Sequence, residues 1–220
     1  MNIKNLNMRW ATRSVRPAAV AGLVLATLGA AACGSSTARE GQSSSYPIIA
    51  LMEGASGAGG TSLIFVTNSI HSDVITFVKS KNTFTTFNDV GRVTMRAAMR
   101  DVTNPNSPTS NNAITFNRYH IVYKRSDGRD RPGVDVPYAF DGAVTFTVAP
   151  GDEAVVPFEL VRVQAKYEAP LAQLTTGGSP AVAISTLAEV TFYGHDQTGR
   201  ETAVTGTIGV DFANWGDPEL

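Results

Sequence analysis

The sequence is poor in the residues on which most metal and redox chemistry depends. It holds one cysteine and three histidines among 220 residues, which excludes an internal disulfide and the paired-cysteine zinc and redox motifs. The three histidines, His71, His120 and His195, are too few for a copper–zinc dismutase site. We therefore expect each of them to be solvated or hydrogen-bonded. The formal net charge of −1 argues against a nucleic-acid partner, which requires a basic face.

Sequence motifs of common enzymes are absent as well. The chain has no G-x-S-x-G, H-E-x-x-H or P-loop motif, and no G-x-G-x-x-G that opens a helix. Serine, histidine and aspartate are all present, but a catalytic triad is defined by geometry and not by counts. We therefore expect a non-enzymatic protein without a cofactor, and an unrecognised hydrolase is the less favoured alternative.

A long apolar run follows a basic amino terminus. Residues 1–16 hold four basic residues and no acidic one, and residues 18–32 are all small or apolar. Fifteen residues in a helix, at about 1.5 Å each, span roughly 22 Å, which is shorter than a bilayer core of about 30 Å. The arrangement predicts a secretory signal peptide rather than a transmembrane helix, whether translation starts at Met1 or at Met8.

The residues around Cys33 make this prediction more specific. The segment LGAAACGSS, residues 28–36, resembles the lipobox of bacterial lipoproteins, although Ala30 stands where that family prefers Leu, Val or Ile. The resemblance implies cleavage before Cys33 and a lipid on its thiol, and hence a membrane-anchored protein of the bacterial cell envelope. Because Gly34 replaces the aspartate that commonly retains lipoproteins at the inner membrane, the outer membrane is favoured in a diderm. Cleavage after Ala32 that leaves a free thiol is the alternative.

A flexible tether is expected after the anchor. Residues 34–45 are small and polar, and such a chain reaches roughly 20 Å. Without the four basic residues of the signal, the chain carries 14 basic and 19 acidic residues, a net charge of −5 that keeps it off anionic headgroups. We divide the chain into a signal peptide (1–32), an anchored tether with a possible first strand (33–60), a β-sandwich domain (61–214) and a C-terminal tail (215–220).

Apolar and polar residues alternate over most of the chain beyond residue 60, as is typical of half-buried strands. The clearest alternation runs over residues 161–168. Ile114 and Phe116 have the opposite parity to Tyr119, which predicts a bulge near Asn117. Further strands are predicted at residues 62–66, 74–78, 91–102, 119–123, 144–148, 182–192 and 204–212, with weaker signals at residues 47–52 and 83–87, and a flexible glycine-rich loop or second linker at residues 54–60.

Seven to nine short strands separated by turn-rich segments predict an all-β fold, an antiparallel β-sandwich. Residues 187–212, which form a predicted hairpin around the turn GHDQTGR, look like the last hairpin of bacterial immunoglobulin-like or fibronectin-III-like domains. The resemblance implies an immunoglobulin-like arrangement of two packed sheets.

The most distinctive polar segment is the loop of residues 125–141. Four of its side chains are carboxylates that could converge on a calcium ion, which prefers several oxygen ligands in a flexible loop. The spacing matches no EF-hand, and the three arginines of the loop can neutralise the carboxylates instead. The candidate calcium ligands are Asp127, Asp130, Asp135 and Asp141, and the arginines are Arg125, Arg129 and Arg131.

Two aromatic residues beside these carboxylates are candidate contacts for a partner or a sugar. Tyr138 and Phe140 could form an exposed aromatic platform, although the edge of a sandwich core has the same appearance in a sequence. We expect a lipid-anchored envelope protein that acts as a binding or assembly module for a protein partner. The alternative is a calcium- or carbohydrate-dependent ligand-binding domain that uses the 125–141 loop.

Overall fold

A computed structural model describes residues 43–59, 63–100, 109–176 and 182–216. The predicted signal peptide, Cys33 and most of the predicted tether lie outside the described residues. The described strands, in chain order, are β1 (Ser45–Ala55), β2 (Ser69–Asp73), β3 (Thr76–Val78), β4 (Thr83–Thr85), β5 (Asp89–Met99), β6 (Ile114–Lys124), β7 (Phe140–Val148), β8 (Glu153–Val161), β9 (Ile184–Asp196) and β10 (Glu201–Ala213). One short α-helix, α1 (Val163–Tyr167), and three 3-10 turns (Gly57–Gly59, Ser110–Asn112 and Leu171–Leu174) connect them.

Eight of these strands form two sheets that pack face to face. The three-stranded sheet has the order β1-β5-β8, and the five-stranded sheet has the order β2-β10-β9-β6-β7. Strands β3 and β4 form a separate small hairpin. The predicted all-β sandwich is therefore confirmed. The pairing is antiparallel except between β2 and β10, which run parallel, a feature that the sequence did not predict.

The core lies between the two sheets and contains aromatic side chains from both. Phe158 of the three-stranded sheet meets Tyr119 and Phe192 of the five-stranded sheet edge to face, with ring centroids 5.4 Å apart in each pair. The hydroxyl of Tyr123 donates a hydrogen bond to the backbone carbonyl of Leu160 at 2.7 Å. Such bonds satisfy the polar ends of buried tyrosines while the rings contribute apolar area.

Several predictions of strand parity are confirmed. The pairing of β6 with both β7 and β9 shifts register between Phe116 and Arg118, which is the predicted bulge. A strand was predicted at residues 91–102, and the structure places Asp89–Met99 in strand β5. The last hairpin, formed by β9 and β10, also lies where the alternation predicted it.

The clearest predicted strand, at residues 161–168, is wrong. Strand β8 ends at Val161, and helix α1 follows from Val163 to Tyr167. The strand lies earlier in the chain and contains Pro157, which lowers its apparent strand propensity but is tolerated because β8 is an edge strand. The alternation after Val161 is misleading because one of its polar positions, Lys166, is fully buried.

Two predictions near the first strand are also wrong. Residues 63–65 are not in a strand, and Val66 makes only an isolated bridge to Gly54. Gly54 itself belongs to β1 rather than to a flexible loop. A Cβ at this position would collide with Ile70 and press on Leu160, so the glycine allows β1 to approach the core closely.

A fully buried ion pair ties the two sheets to helix α1. The Nζ atom of Lys166 lies 3.0 Å from Oδ2 of Asp89, at the start of β5. The same oxygen accepts a 2.5 Å hydrogen bond from the hydroxyl of Ser72 in β2, and Oδ1 accepts one from the backbone N–H of Gly57 at 3.0 Å. Lys166 also donates to the backbone carbonyl of Asp73 at 2.8 Å. Each buried charge is thus both paired and hydrogen-bonded, as burial requires.

Candidate functional site

Arginine side chains form ion pairs with the first carboxylate of the 125–141 loop. Asp127 is held between Arg125 and Arg129, with a guanidinium nitrogen of each 2.8 Å from its Oδ2 atom. These hydrogen bonds, first from Arg125 and then from Arg129, hold the pKa of Asp127 well below its ordinary value. Asp130 turns inward within the loop and accepts a 2.6 Å hydrogen bond from the backbone N–H of Arg125.

The other two candidate calcium ligands are engaged elsewhere. Asp135 pairs with Arg131 at 2.8 Å, and this contact lowers the pKa of the Asp135 carboxyl. Asp141 lies in β7, where it is 3.1 Å from Nδ1 of His120 and 3.6 Å from Arg118. Among the described residues no group of three or more potential ligands converges on one point. A cation would therefore have to compete with arginine at Asp127 and at Asp135.

The structure separates the two aromatic candidates. Tyr138 is 50% exposed, and its ring lies against Gly133, whose φ of +73° and lack of a Cβ both suit a tight turn. Phe140 is only 6% exposed and lies under the guanidinium of Arg162, 4.5 Å from it. Phe140 is therefore not part of an exposed aromatic platform, because β7 begins at this residue and turns its side chain into the core. Tyr138 stays a candidate contact.

The three histidines lie far apart in the fold. His71 stacks on Trp215 with ring centroids 4.2 Å apart, and His120 pairs with Asp141. His195, near the end of β9, lines an open cleft of about 280 Å³ beside the bulge of β6. Arg118 crosses the same cleft and covers the ring of Tyr193 at 4.1 Å, so that this ring face is already occupied.

A more extended feature is the outward side of the three-stranded sheet. Tyr46, Ile48 and Leu51 of β1 point away from the core, as does Val155 of β8. Leu51 and Val155, which are 41% and 56% exposed, flank Thr94 in one cross-strand row. Cross-strand neighbours share one side of a sheet, so these side chains lie on the same, outward side of the three-stranded sheet.

The segment after β1 extends this surface. Phe65 lies over the guanidinium of Arg92 at 4.0 Å, and Val66 is hydrogen-bonded to Gly54 in both directions. Ile64 beside them is 78% exposed. We call the surface formed by Tyr46, Ile48, Leu51, Phe65 and Val155 the apolar face. Exposed apolar surface that is continuous, unlike single exposed residues, marks interaction sites.

Two ion pairs lie among these apolar side chains, and a fifth charged residue, Arg100, has its guanidinium 5.6 Å from the ring centroid of Tyr46. Arg92 contacts Glu53 at 2.8 Å, and Arg96 contacts Glu153 at 2.5 Å. Each pair joins neighbouring strands, because Glu53 faces Arg92 across β1 and β5, and Arg96 faces Glu153 across β5 and β8. The apolar face therefore carries charge of both signs.

Sequence reasoning missed the apolar face, although β1 carries a signal for it. Ile48 and Ile49 are adjacent apolar residues, and so are Leu51 and Met52, so that both sides of the strand are apolar. A strand with one solvated side should alternate, and continuous apolar character indicates that both sides are covered. The full surface becomes visible only when β1 pairs with β5 and β5 pairs with β8, strands that lie far apart in the sequence.

Comparisons with protein-family models, with curated proteins and with solved structures found no match for this chain. Within the ranges that the structure describes, none of the helices has the length and apolar character needed to cross a bilayer. A β-sandwich can support many functions, so the function has to be argued from its surfaces.

Proposed function

We propose that this chain is a lipid-anchored, non-enzymatic module of a bacterial cell envelope that binds a protein partner through the apolar face. The observation that carries the proposal is the exposure of Ile48, Leu51 and Val155 on one side of a three-stranded sheet. At about 25 cal/mol for each Å² of apolar surface removed from water, covering this surface favours association.

A protein partner suits the apolar face better than a small ligand does. Small molecules bind in concave pockets that cover most of their surface, whereas an open sheet covers only one side of a ligand. Protein interfaces combine an apolar centre with charged residues at the rim. Here Leu51 and Val155 lie in the middle row of the sheet, and the pairs Glu53–Arg92 and Arg96–Glu153 flank that row.

The order of the strands supports an immunoglobulin-like interpretation of the sandwich. Strands β1, β5 and β8 form one sheet, and β6, β9 and β10 form the other, with β7 beside β6. Immunoglobulin domains likewise place strands A, B and E in one sheet and C, F and G in the other, although here the five-stranded sheet also contains β7 and β2. Such sandwiches are common at cell surfaces, where their faces and loops bind partners.

The lipid anchor rests on the resemblance of residues 28–36 to a lipobox. Cys33 precedes the first described residue, Ser43, by ten positions, and the residues between are small or polar with few exceptions. A diacylglyceryl group on Cys33 would hold the sandwich at the membrane, with the outer membrane favoured in a diderm. A thioether also removes the chain's only thiol from an oxidising compartment, where a free thiol forms disulfides.

Site-specific photo-crosslinking in the native envelope tests the binding surface. A photoreactive amino acid replaces Leu51 on the apolar face, and in a matched control it replaces the exposed Thr207 on the five-stranded sheet. We expect a discrete adduct from position 51 and none from position 207. Equal adducts from both positions, or none from position 51, would refute the proposed surface.

The anchor is tested separately by Cys33→Ser. We expect this variant to leave the membrane fraction while its sandwich keeps the melting temperature of the wild type, because Cys33 precedes the described fold. A Cys33→Ser protein that is cleaved normally and stays on the membrane would contradict lipid attachment.

A further inference from the structure

We propose that the buried pair of Lys166 and Asp89 condenses to an amide, an isopeptide bond that crosslinks helix α1 to the start of strand β5. The Nζ atom of Lys166 lies 3.0 Å from Oδ2 of Asp89, and neither side chain is exposed. An amine and a carboxyl group held together away from water are the two halves of an amide. The inference is independent of the proposed function, because no residue of the apolar face takes part.

Burial favours a neutral product over the charged pair. Two charges removed from water carry a desolvation penalty that their mutual attraction repays only in part. An amide has no net charge and keeps one hydrogen-bond donor and one acceptor in the same place. The exposed pair of Lys124 and Glu189 lies at a similar distance, 2.7 Å, but water solvates both of its charges. We therefore expect condensation at the buried pair and not at the exposed one.

The surroundings of the buried carboxyl group suit attack at its carbon atom. Oδ1 accepts a hydrogen bond from the backbone N–H of Gly57 at 3.0 Å, and Oδ2 accepts one from the hydroxyl of Ser72 at 2.5 Å. Donors fixed on these oxygens stabilise the negative charge that develops on them when a nucleophile adds to the carbon. The amine is oriented by its 2.8 Å hydrogen bond to the backbone carbonyl of Asp73. Nucleophile, electrophile and donors thus meet in one buried cluster.

The condensation needs no co-reactant. One ammonium proton passes to Oδ2 of Asp89, which lies within hydrogen-bond reach, and leaves a neutral amine beside a carboxylic acid. The lone pair of Nζ then forms a bond to Cγ, and the bond between Cγ and Oδ2 breaks. A second proton moves from Nζ to the departing oxygen, which leaves as water, and the third proton stays on the amide nitrogen. The fold holds the two groups together, so the reaction does not pay the entropy of bringing two molecules together.

Tryptic digestion of the purified, denatured chain followed by mass spectrometry tests the inference. Trypsin does not cleave after an acylated lysine, so residues 163–200 should stay one peptide. This peptide should be joined to residues 82–92, which contain Asp89, with a mass one water molecule below the sum of the two. The exposed pair is a control in the same digest, and we expect the peptide of residues 119–124, which ends at Lys124, to be released free.

Lys166→Met is a second control, because without the amine residues 82–92 should be released free. A wild-type digest that releases residues 163–166 and 82–92 as separate peptides overturns the inference. A loss of water confined to the peptides that contain Asp127 or Asp141 also overturns it, because each of these aspartates precedes a glycine and can cyclise by itself. The melting temperature does not distinguish an amide from an ion pair, since Lys166→Met removes both, whereas the linked peptide does.

Discussion

The buried pair between Lys166 and Asp89 gives the sharpest prediction of stability, because the chain provides its own control. Lys166→Met removes the ammonium group and keeps most of the side-chain volume. Asp89 then stays fully buried with hydrogen bonds from Ser72 and Gly57 but without a counter-charge. Removal of one partner from a buried ion pair typically costs about 3–5 kcal/mol of unfolding free energy.

The control is Lys124→Met. Lys124 lies 2.7 Å from Glu189, so the distance resembles the 3.0 Å of the buried pair, but both partners are partly exposed. An exposed pair contributes about 0–1 kcal/mol, because water screens the charges and solvates the one that is left. The two substitutions are chemically identical, and the largest difference between the two sites is burial.

Thermal unfolding followed by circular dichroism compares the two variants. For a domain of this size, each kcal/mol lowers the melting temperature by about 2–4 °C, so Lys166→Met should lower it by roughly 10 °C and Lys124→Met by only about 2 °C. Equal losses would mean that burial does not control the energy of the pair. That result would refute the account of how helix α1 is held to the two sheets.

Three further predictions follow from other parts of the fold. Millimolar calcium should leave the melting temperature unchanged, because arginines already neutralise the 125–141 loop, and a clear rise would reinstate a calcium site there. Gly142→Ala should cost about 1–3 kcal/mol in urea unfolding, because its Cβ would overlap the ring of Tyr119, whereas Gly216→Ala meets no neighbour and should cost nothing comparable. Burial raises the pKa of the Asp73 carboxyl above its ordinary 3.8. The stability that the neutral carboxyl contributes is therefore complete below pH 3.8, and it is lost as pH rises through the folded-state pKa. Asp73→Asn should therefore gain stability relative to the wild type as pH rises above the ordinary carboxyl pKa, and a difference that stays constant with pH would contradict the assignment.

Alternation in the sequence was sufficient to predict the sandwich and much of its detail. The change of parity between Phe116 and Tyr119 was enough to place the bulge of β6, because a two-residue period cannot change face without an extra residue. The same reasoning failed at residues 161–168. A lysine counts as a solvated position in a pattern, whereas Lys166 is buried against a carboxylate that lies far away in the sequence. Long-range pairs of this kind cannot be read from local periodicity.

The candidate site was only partly predictable, for a related reason. Contacts between neighbours in the chain, such as Arg125 with Asp127, could be anticipated because the loop is short and its charges alternate. Tyr138 and Phe140 have the same parity but opposite exposure, because the chain passes from the loop into β7 between them. The apolar face joins strands more than a hundred residues apart, from Leu51 to Val155, and no local pattern connects them.

The central claim is that the apolar face is covered in the native envelope. Thiol labelling tests this claim most directly. Because Cys33 is the chain's only cysteine and is lipid-linked in our account, Leu51→Cys or Thr207→Cys introduces a single free thiol. A maleimide reagent is applied to intact envelopes and to dilute solubilised protein. We predict that labelling at position 51 is at least about tenfold slower in the envelope, while labelling at position 207 is the same in both. Equal rates at position 51 in the two preparations would contradict the account, because a surface that binds a partner must lose accessibility where that partner is present.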